Sequence, residues 1–264
     1  MNRFRQYLEL KNYHQNTIAN LLKIVNEYLN YHGEAQQYLD YLANRNNKNN
    51  PKKKLSPNTL NNHIYGLKVY FDYLETIQKQ SVSLKFLNYK RTLKPIEILT
   101  IEEIQLLFSV AQNSRERAVL ACLYHLGLRI SEAAFLLVED FDFKENLVLI
   151  RKSKTGRQRQ VPLSGKATEI FLNYLEDRRS PPLGDLGGFL QGLHGNLTSD
   201  GIAQILRRIV KKSGLTKKVN PHLLRHSIAT HLLQSGMELE KVSLFLGHHS
   251  IESTQRYTHI SNDL

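Results

Sequence analysis

The 264-residue sequence carries 36 Lys+Arg against 24 Asp+Glu, a formal net charge of +12, with 41% hydrophobic residues and one cysteine. That composition belongs to a globular chain long enough for one large or two small cores, and it excludes both a disordered polyelectrolyte and a disulfide-framed scaffold. No uncharged apolar run reaches the ~18 residues of a membrane span, no apolar segment behind Met1-Asn2-Arg3-Phe4 marks a signal peptide, and a lone Cys122 fits a reducing compartment, so the expected location is the cytoplasm.

The basic charge is uneven. Residues 1–95 hold 15 Lys+Arg against 6 Asp+Glu, and residues 96–264 hold 21 against 18. Such an excess favours a polyanion through counterion release, although it also serves solubility. Residues 1–90 read as helical. Ile18, Leu21, Leu22, Val25, Tyr28 and Leu29 recur at three- and four-residue spacing and predict a helix over Thr17–Tyr31. A second helix is expected at Ala35–Leu42, and Asn44–Lys54, rich in Asn and Lys, reads as a loop. Ser56-Pro57 supplies an N-cap and a first-turn proline for a helix bearing Leu60, Ile64, Leu67, Tyr70, Phe71 and Leu74. A shorter helix is expected near Ser83–Tyr89, and Lys90–Ile98 reads as a linker, dividing the chain into domains 1–92 and 93–264.

Thr100-Ile101-Glu102-Glu103 is a capping-box pattern that opens the second domain. Ala118–Leu126 reads as a buried helix ended by Gly127, with Cys122 a small core residue, and Ser131 as cap of the short helix that follows. The period then changes. Leu147–Ile150 and Arg157–Leu163 form a hairpin around Lys152-Ser153-Lys154-Thr155-Gly156, with a third strand near Gly188–Gln191. Helices resume at Gly201–Lys212, from Asn220-Pro221 to Gly236, and at Glu238–Leu246, and Ser250 caps a last one bearing Tyr257.

Several residues carry chemistry. Arg225 has a planar fork suited to phosphate oxygens, and His222 lies three positions before it, on one face of the same helix in its first turns. Arg129 follows the Gly127-Leu128 corner with Glu132 three residues on, and Lys154 sits at a hairpin tip. His248 follows a helix-ending glycine, and Tyr257 comes nine positions later. Singly, each has an ordinary reading: a solvated helix face, a local Arg–Glu pair, turn charge, a surface histidine, one tyrosine among 13. Jointly, two arginines, two histidines and a phenol are the groups that grip a phosphodiester and attack it without a metal.

The order Arg129, Lys154, His222-x-x-Arg225, Gly247-His248, Tyr257, with the text His222-Leu223-Leu224-Arg225-His226-Ser227, Val161-Pro162-Leu163 and Gln255-Arg256-Tyr257-Thr258, resembles the tyrosine recombinase family of phage-integrase and Xer-like site-specific recombinases. The resemblance is strongest across residues 97–260, and the upstream helices resemble the family's core-binding domain. It implies a mainly α, two-domain DNA clamp: an N-terminal helical core-binding domain and a C-terminal, mainly helical catalytic domain with a small antiparallel β-sheet. It also implies roles. Tyr257 attacks the scissile phosphate and holds the DNA 3′ end as a phosphotyrosine, and Arg129 and Arg225 clamp the non-bridging oxygens. Lys154 protonates the leaving 5′ oxygen, and His222 and His248 hydrogen-bond the phosphate. Glu132 supports the first arginine without being catalytic. No cofactor or metal is implied.

The implied partners are double-stranded DNA and further copies of the chain in a tetrameric synapse, with a second recombinase or accessory protein as an open option. Seven residues follow Tyr257, little room for the extra C-terminal helix that relatives often dock on a neighbour, so a weaker or differently built assembly is expected. Three rivals stand beside this reading. A type IB topoisomerase shares the chemistry but is disfavoured by the N-terminal helices. A catalytically silent DNA-binding protein is disfavoured by all six positions being filled. A metal-dependent nuclease is disfavoured because no carboxylate cluster has ligand spacing.

Overall fold

Two units, Met1–Lys94 and Pro95–Leu264, divide the chain. The computed structural model describes residues 1–47, 50–78, 89–90, 97–151, 158–178, 187–192 and 195–247. Both units are mainly helical among these residues, each with a small antiparallel sheet.

The first unit contains helices α1 (Asn2–Leu10), α2 (Gln15–Leu29), α3 (Ala35–Asn44) and α4 (Pro57–Gln78). α2 buries Ile18, Leu21, Ile24 and Val25, as its spacing requires, whereas Leu29 at its end stays exposed. The Ser56 hydroxyl accepts from the Thr59 amide at 3.2 Å, and Pro57 opens α4, so the expected cap is formed. α2 and α4 pack closely because Gly66 has no side chain: a Cβ there would stand 2.7 Å from Ile24 Cγ2. Tyr38 on α3 is buried, its hydroxyl 3.0 Å from His63 Nδ1 on α4.

One expectation for this unit is corrected. Asn44–Lys54 is not a plain loop: Asn46–Asn47 (β1) pairs with Asn50–Lys54 (β2) in an antiparallel ribbon. Every residue of β2 is exposed, so the ribbon has no apolar face and leaves no alternation to read. Of the helix expected near Ser83–Tyr89, residues 83–88 lie outside the described residues, as do residues 91–96 of the expected linker.

The second unit opens on α5 (Ile101–Ser109). Thr100 Oγ1 accepts from the Glu103 amide, and Glu103 returns a carboxylate oxygen to the Thr100 amide at 2.8 Å. The central helix, α6, spans Ser114–Leu123 and is buried almost throughout; Cys122 is fully enclosed, and burial pushes its thiol pKa up. α6 both starts and ends earlier than apolar periodicity suggests: it stops at Leu123 with Tyr124 as its C-cap, not at Gly127. Asn113 caps it, and Glu116 is buried because its carboxylate accepts from the Gln112 amide at 2.9 Å. After Gly127, α7 runs Ile130–Ala134, and its cap is Arg129 rather than Ser131. Arg129 is extended (φ −67°, ψ 148°) and its amide donates to Glu132, which fixes the cap two residues before the serine.

The sheet has the order β3 (Phe141–Asp142), β4 (Leu147–Ile150), β5 (Arg159–Pro162), antiparallel, with Ile150 opposite Arg159 and Leu147 opposite Pro162. β4 and β5 pair where the sequence put them, with residues 152–157 between them outside the described residues, but the third strand is Phe141–Asp142, not Gly188–Gln191. Gly188 and Gln191 make only isolated bridges, to Leu137 and Asn196. Phe189 instead packs between Phe141 and Phe171, with ring centroids at 4.2 and 5.4 Å. Around this core lie α8 (Gly165–Asp177), α9 (Ser199–Ser213), α10 (Pro221–Gln234) and α11 (Leu239–Leu246). Asn220 and Pro221 start α10 as expected, and Gly214 and Gly247 end α9 and α11 in the left-handed region. The helix expected after Ser250 lies outside the described residues. No helix among the described residues is long and apolar enough to cross a membrane.

His125, just past α6, has a buried Nε2 with no hydrogen-bond partner among the described residues and an aromatic neighbour in Phe108, 5.3 Å away. Burial first, and the charge of Lys166 second, lower its pKa to about 4. A depressed histidine stabilises the fold only while the unfolded chain is also neutral. Stability is therefore held above pH 6.5 and drains away as the pH falls toward 4. In chemical denaturation, His125→Phe is expected to lose about 2–3 kcal/mol less than the unaltered protein between pH 7 and pH 4.5. Equal losses would show that His125 is hydrated and titrates normally.

Candidate active site

Four of the residues singled out in the sequence fall on elements that meet at one buried carboxylate. Glu132, on α7, is 2% exposed. Arg129, at the head of α7, donates from Nη1 to Glu132 Oε1 at 2.8 Å and from its own amide to Oε2 at 3.0 Å. Arg225, four residues into α10 and 3% exposed, brings Nη1 to 3.8 Å from Glu132 Oε2. Its two terminal nitrogens also donate to the carbonyls of Gly127 and Leu246, which binds α10 to the corner before α7 and to the end of α11. Arg129 Nη2 points to the Gly247 carbonyl at 3.4 Å. The two arginines, 96 positions apart in sequence, thus converge on one acidic group.

His222 stands in the first turn of α10, exposed, with its ring 6.5 Å from that of His226. The sequence put His222 and Arg225 on one helical face; the structure leaves the first open and buries the second. Lys154, His248 and Tyr257 lie outside the described residues.

One site residue escaped the sequence reading. Arg159, the first residue of β5, donates from Nη1 and Nη2 to both oxygens of Glu132 at 3.1 and 2.8 Å, and from Nε to the Phe245 carbonyl at 2.9 Å. The available signal was its position. On a strand it shares a face with Val161, which is fully buried, and an arginine on an inward face needs an acidic partner.

Two glycines make the close approach possible. Gly127 has φ +55°, and a Cβ on it would lie 3.0 Å from both Leu246 Cδ2 and Phe245 Cε1. Gly247 has φ +64°, and a Cβ there would lie 2.9 Å from Arg159 Cδ.

Burial alone would push the Glu132 carboxyl up. The hydrogen bonds and charge of Arg159, the Arg129 amide and the charge of Arg225 outweigh it and hold the group below its ordinary 4.5. Its contribution to stability is in force above pH 4.5 and is lost as the pH falls through the lower folded-state value. Three guanidiniums against one carboxylate leave surplus positive charge in a shielded place. That is a site for an anion with several oxygens, and arginine's fork suits phosphate.

Residues 97–263 match the profile of the phage integrase family. This chain belongs to the phage integrase family of tyrosine recombinases. Among its relatives, the tyrosine recombinase XerC of Bacillus pumilus is 33% identical over 98% of this chain and 91% of that protein. The tyrosine recombinase XerA of Pyrococcus horikoshii is 31% identical over 98% of this chain and 88% of its own length. A crystal structure of the XerH site-specific recombinase, bound to a palindromic difH substrate after cleavage, is 25% identical with a TM-score of 0.67, covering 78% of this chain and 65% of that one. The family assignment agrees with the resemblance carried by Arg129, His222-x-x-Arg225 and the hairpin end Val161-Pro162-Leu163. The mainly helical fold with a small antiparallel sheet agrees as well.

Proposed function

We propose that this tyrosine recombinase is a site-specific enzyme that cuts and rejoins duplex DNA by transesterification, with Tyr257 as nucleophile. The Tyr257 phenolic oxygen forms a bond to the scissile phosphorus while the bond from phosphorus to the 5′ oxygen breaks. The phenolic proton passes to solvent, with His222 helping to move it, and the 5′ oxygen takes a proton from the Lys154 ammonium, which becomes the neutral amine. A 5′ hydroxyl, from the same or a partner strand, then attacks the phosphotyrosine and gives its proton to the Lys154 amine, while the bond from phosphorus to the phenolic oxygen breaks and the phenolate takes a proton back from solvent. One phosphodiester replaces another, so neither ATP nor a metal enters the balance.

Arg129 and Arg225 hold the non-bridging oxygens and offset the charge that grows on them. His222 and His248 donate hydrogen bonds to the same phosphate. The observation that carries the reading is the convergence of Arg129 and Arg225 on Glu132, a preset cationic centre within the family's fold.

The protein acts on double-stranded DNA in the cytoplasm as a homo-oligomer, a tetramer in the synapse, with a second recombinase or an accessory protein as a further partner. The test is to trap covalent protein–DNA adducts in the source cells and sequence the attached DNA. The expected result is one recurring site with inverted half-sites. Adducts spread evenly over the genome would point to topoisomerase action instead.

A further inference from the structure

We infer that Arg159 is a positioning residue of this site, which balances Glu132 and clasps the end of α11 so that Arg129 keeps its charge for phosphate. The inference rests on the recombinase reading and adds a residue to it.

Arg159 Nε, Nη1 and Nη2 each donate inside the protein: two to the Glu132 oxygens and one to the Phe245 carbonyl. Its side chain is 9% exposed, while that of Arg129 is 23% exposed. Of the two arginines bonded to this carboxylate, the one tied by its whole fork is Arg159 and the one more open to solvent is Arg129. The division of labour follows. Glu132 alone would neutralise Arg129, with which it forms a 2.8 Å ion pair. With Arg159 holding both its oxygens, Glu132 still orients Arg129 but no longer cancels it.

The shape of the arginine matters as well as its charge. A planar fork meets both carboxylate oxygens while Nε reaches a carbonyl on another element, which a lysine's single ammonium cannot do. Gly247 is part of the device, since any side chain there would enter the space of the Arg159 guanidinium. The bond from Arg159 to the Phe245 carbonyl therefore fixes β5 to the last turn of α11.

Inorganic phosphate is the probe, titrated into the full chain and followed by the arginine Nε–H signals in nitrogen-15 spectra. In the unaltered protein, phosphate is expected to shift the Arg129 signal and to leave the Arg159 signal in place and slow to exchange. Arg159→Gln should weaken phosphate binding roughly tenfold, as removal of one nearby charge at intermediate dielectric implies. Arg159→Lys should fall between the two. The double variant Glu132→Gln, Arg159→Gln should return to within about threefold of the unaltered protein, because the surplus charge is restored.

A double variant as weak as Arg159→Gln would mean that Arg159 touches the anion itself and would overturn the inference. So would a phosphate shift at Arg159, no shift at Arg129, or undiminished binding by both single variants. Covalent capture of DNA is scored separately on the same preparations. Phosphate behaviour as expected without any adduct sinks the recombinase reading alone, and adducts with a weak double variant sink the Arg159 assignment alone.

Discussion

Arg225→Lys is expected to slow covalent DNA cleavage by roughly 10³-fold while leaving site affinity within about threefold, since the donor acts on charge that develops in the transition state. Arg225 is 3% exposed, and its terminal nitrogens bridge the carbonyls of Gly127 and Leu246 beside Glu132. Those two carbonyls belong to different elements, and a lysine ammonium can serve one of them at best. The guanidinium plane proposed to present its donors to a phosphate is lost with the bridge. Arg225→Ala goes further, leaving buried acceptors without a donor beside a buried carboxylate. It should cost about 3–5 kcal/mol of stability and lower the melting temperature by roughly 10 °C. Cleavage on a nicked duplex containing the captured site, measured with a melting curve on the same sample, separates the two effects. A lysine variant cutting within tenfold of the unaltered protein would remove Arg225 from the chemistry.

Tyr257→Phe should have the larger effect and the narrower one. The change removes a single oxygen, the atom proposed to bond to phosphorus. Cleavage should drop by at least about 10⁴-fold, as happens when a nucleophile is deleted from an otherwise intact site. Binding to the captured duplex should hold within about twofold, because phosphate and base contacts elsewhere supply the affinity. The check is a nicked substrate that traps the adduct, resolved on a denaturing gel beside a mobility shift under native conditions. Adduct formed by the phenylalanine variant would reassign the nucleophile.

Local signals with a clear physical origin carried most of the fold. Ser56-Pro57, Thr100…Glu103 and Asn220-Pro221 each satisfy backbone amides that a helix start leaves open, and each stands where the sequence placed it. Apolar spacing found α2 because one face of that helix is buried and the other is wet. Periodicity failed where burial is not apolar. Glu116 lies inside the protein on a backbone hydrogen bond, so the charged first turn of α6 read as outside the helix. The β1–β2 ribbon failed for the opposite reason, since its second strand buries nothing. Ser131 looked like a cap by residue type, yet the Glu132 carboxylate already held the Arg129 amide.

The site was legible to the extent that its residues have spacings of their own. Arg129 with Glu132, and His222 with Arg225, could be picked out as local pairs. Arg159 could not, because its partners lie 27 and 86 positions away and only the folded chain brings them together. The exposures of His222 and Arg225 likewise depend on what packs around α10, not on their three-residue separation.

The central claim is a covalent bond between one tyrosine and a DNA 3′ phosphate, and it can be observed directly. The protein is allowed to cut a nicked duplex of the captured site, the DNA is trimmed with nuclease, and the protein is digested and sequenced by mass spectrometry. The result expected is a nucleotide joined through its 3′ phosphate to Tyr257. A nucleotide joined through its 5′ phosphate, or carried by any other side chain, would contradict the account.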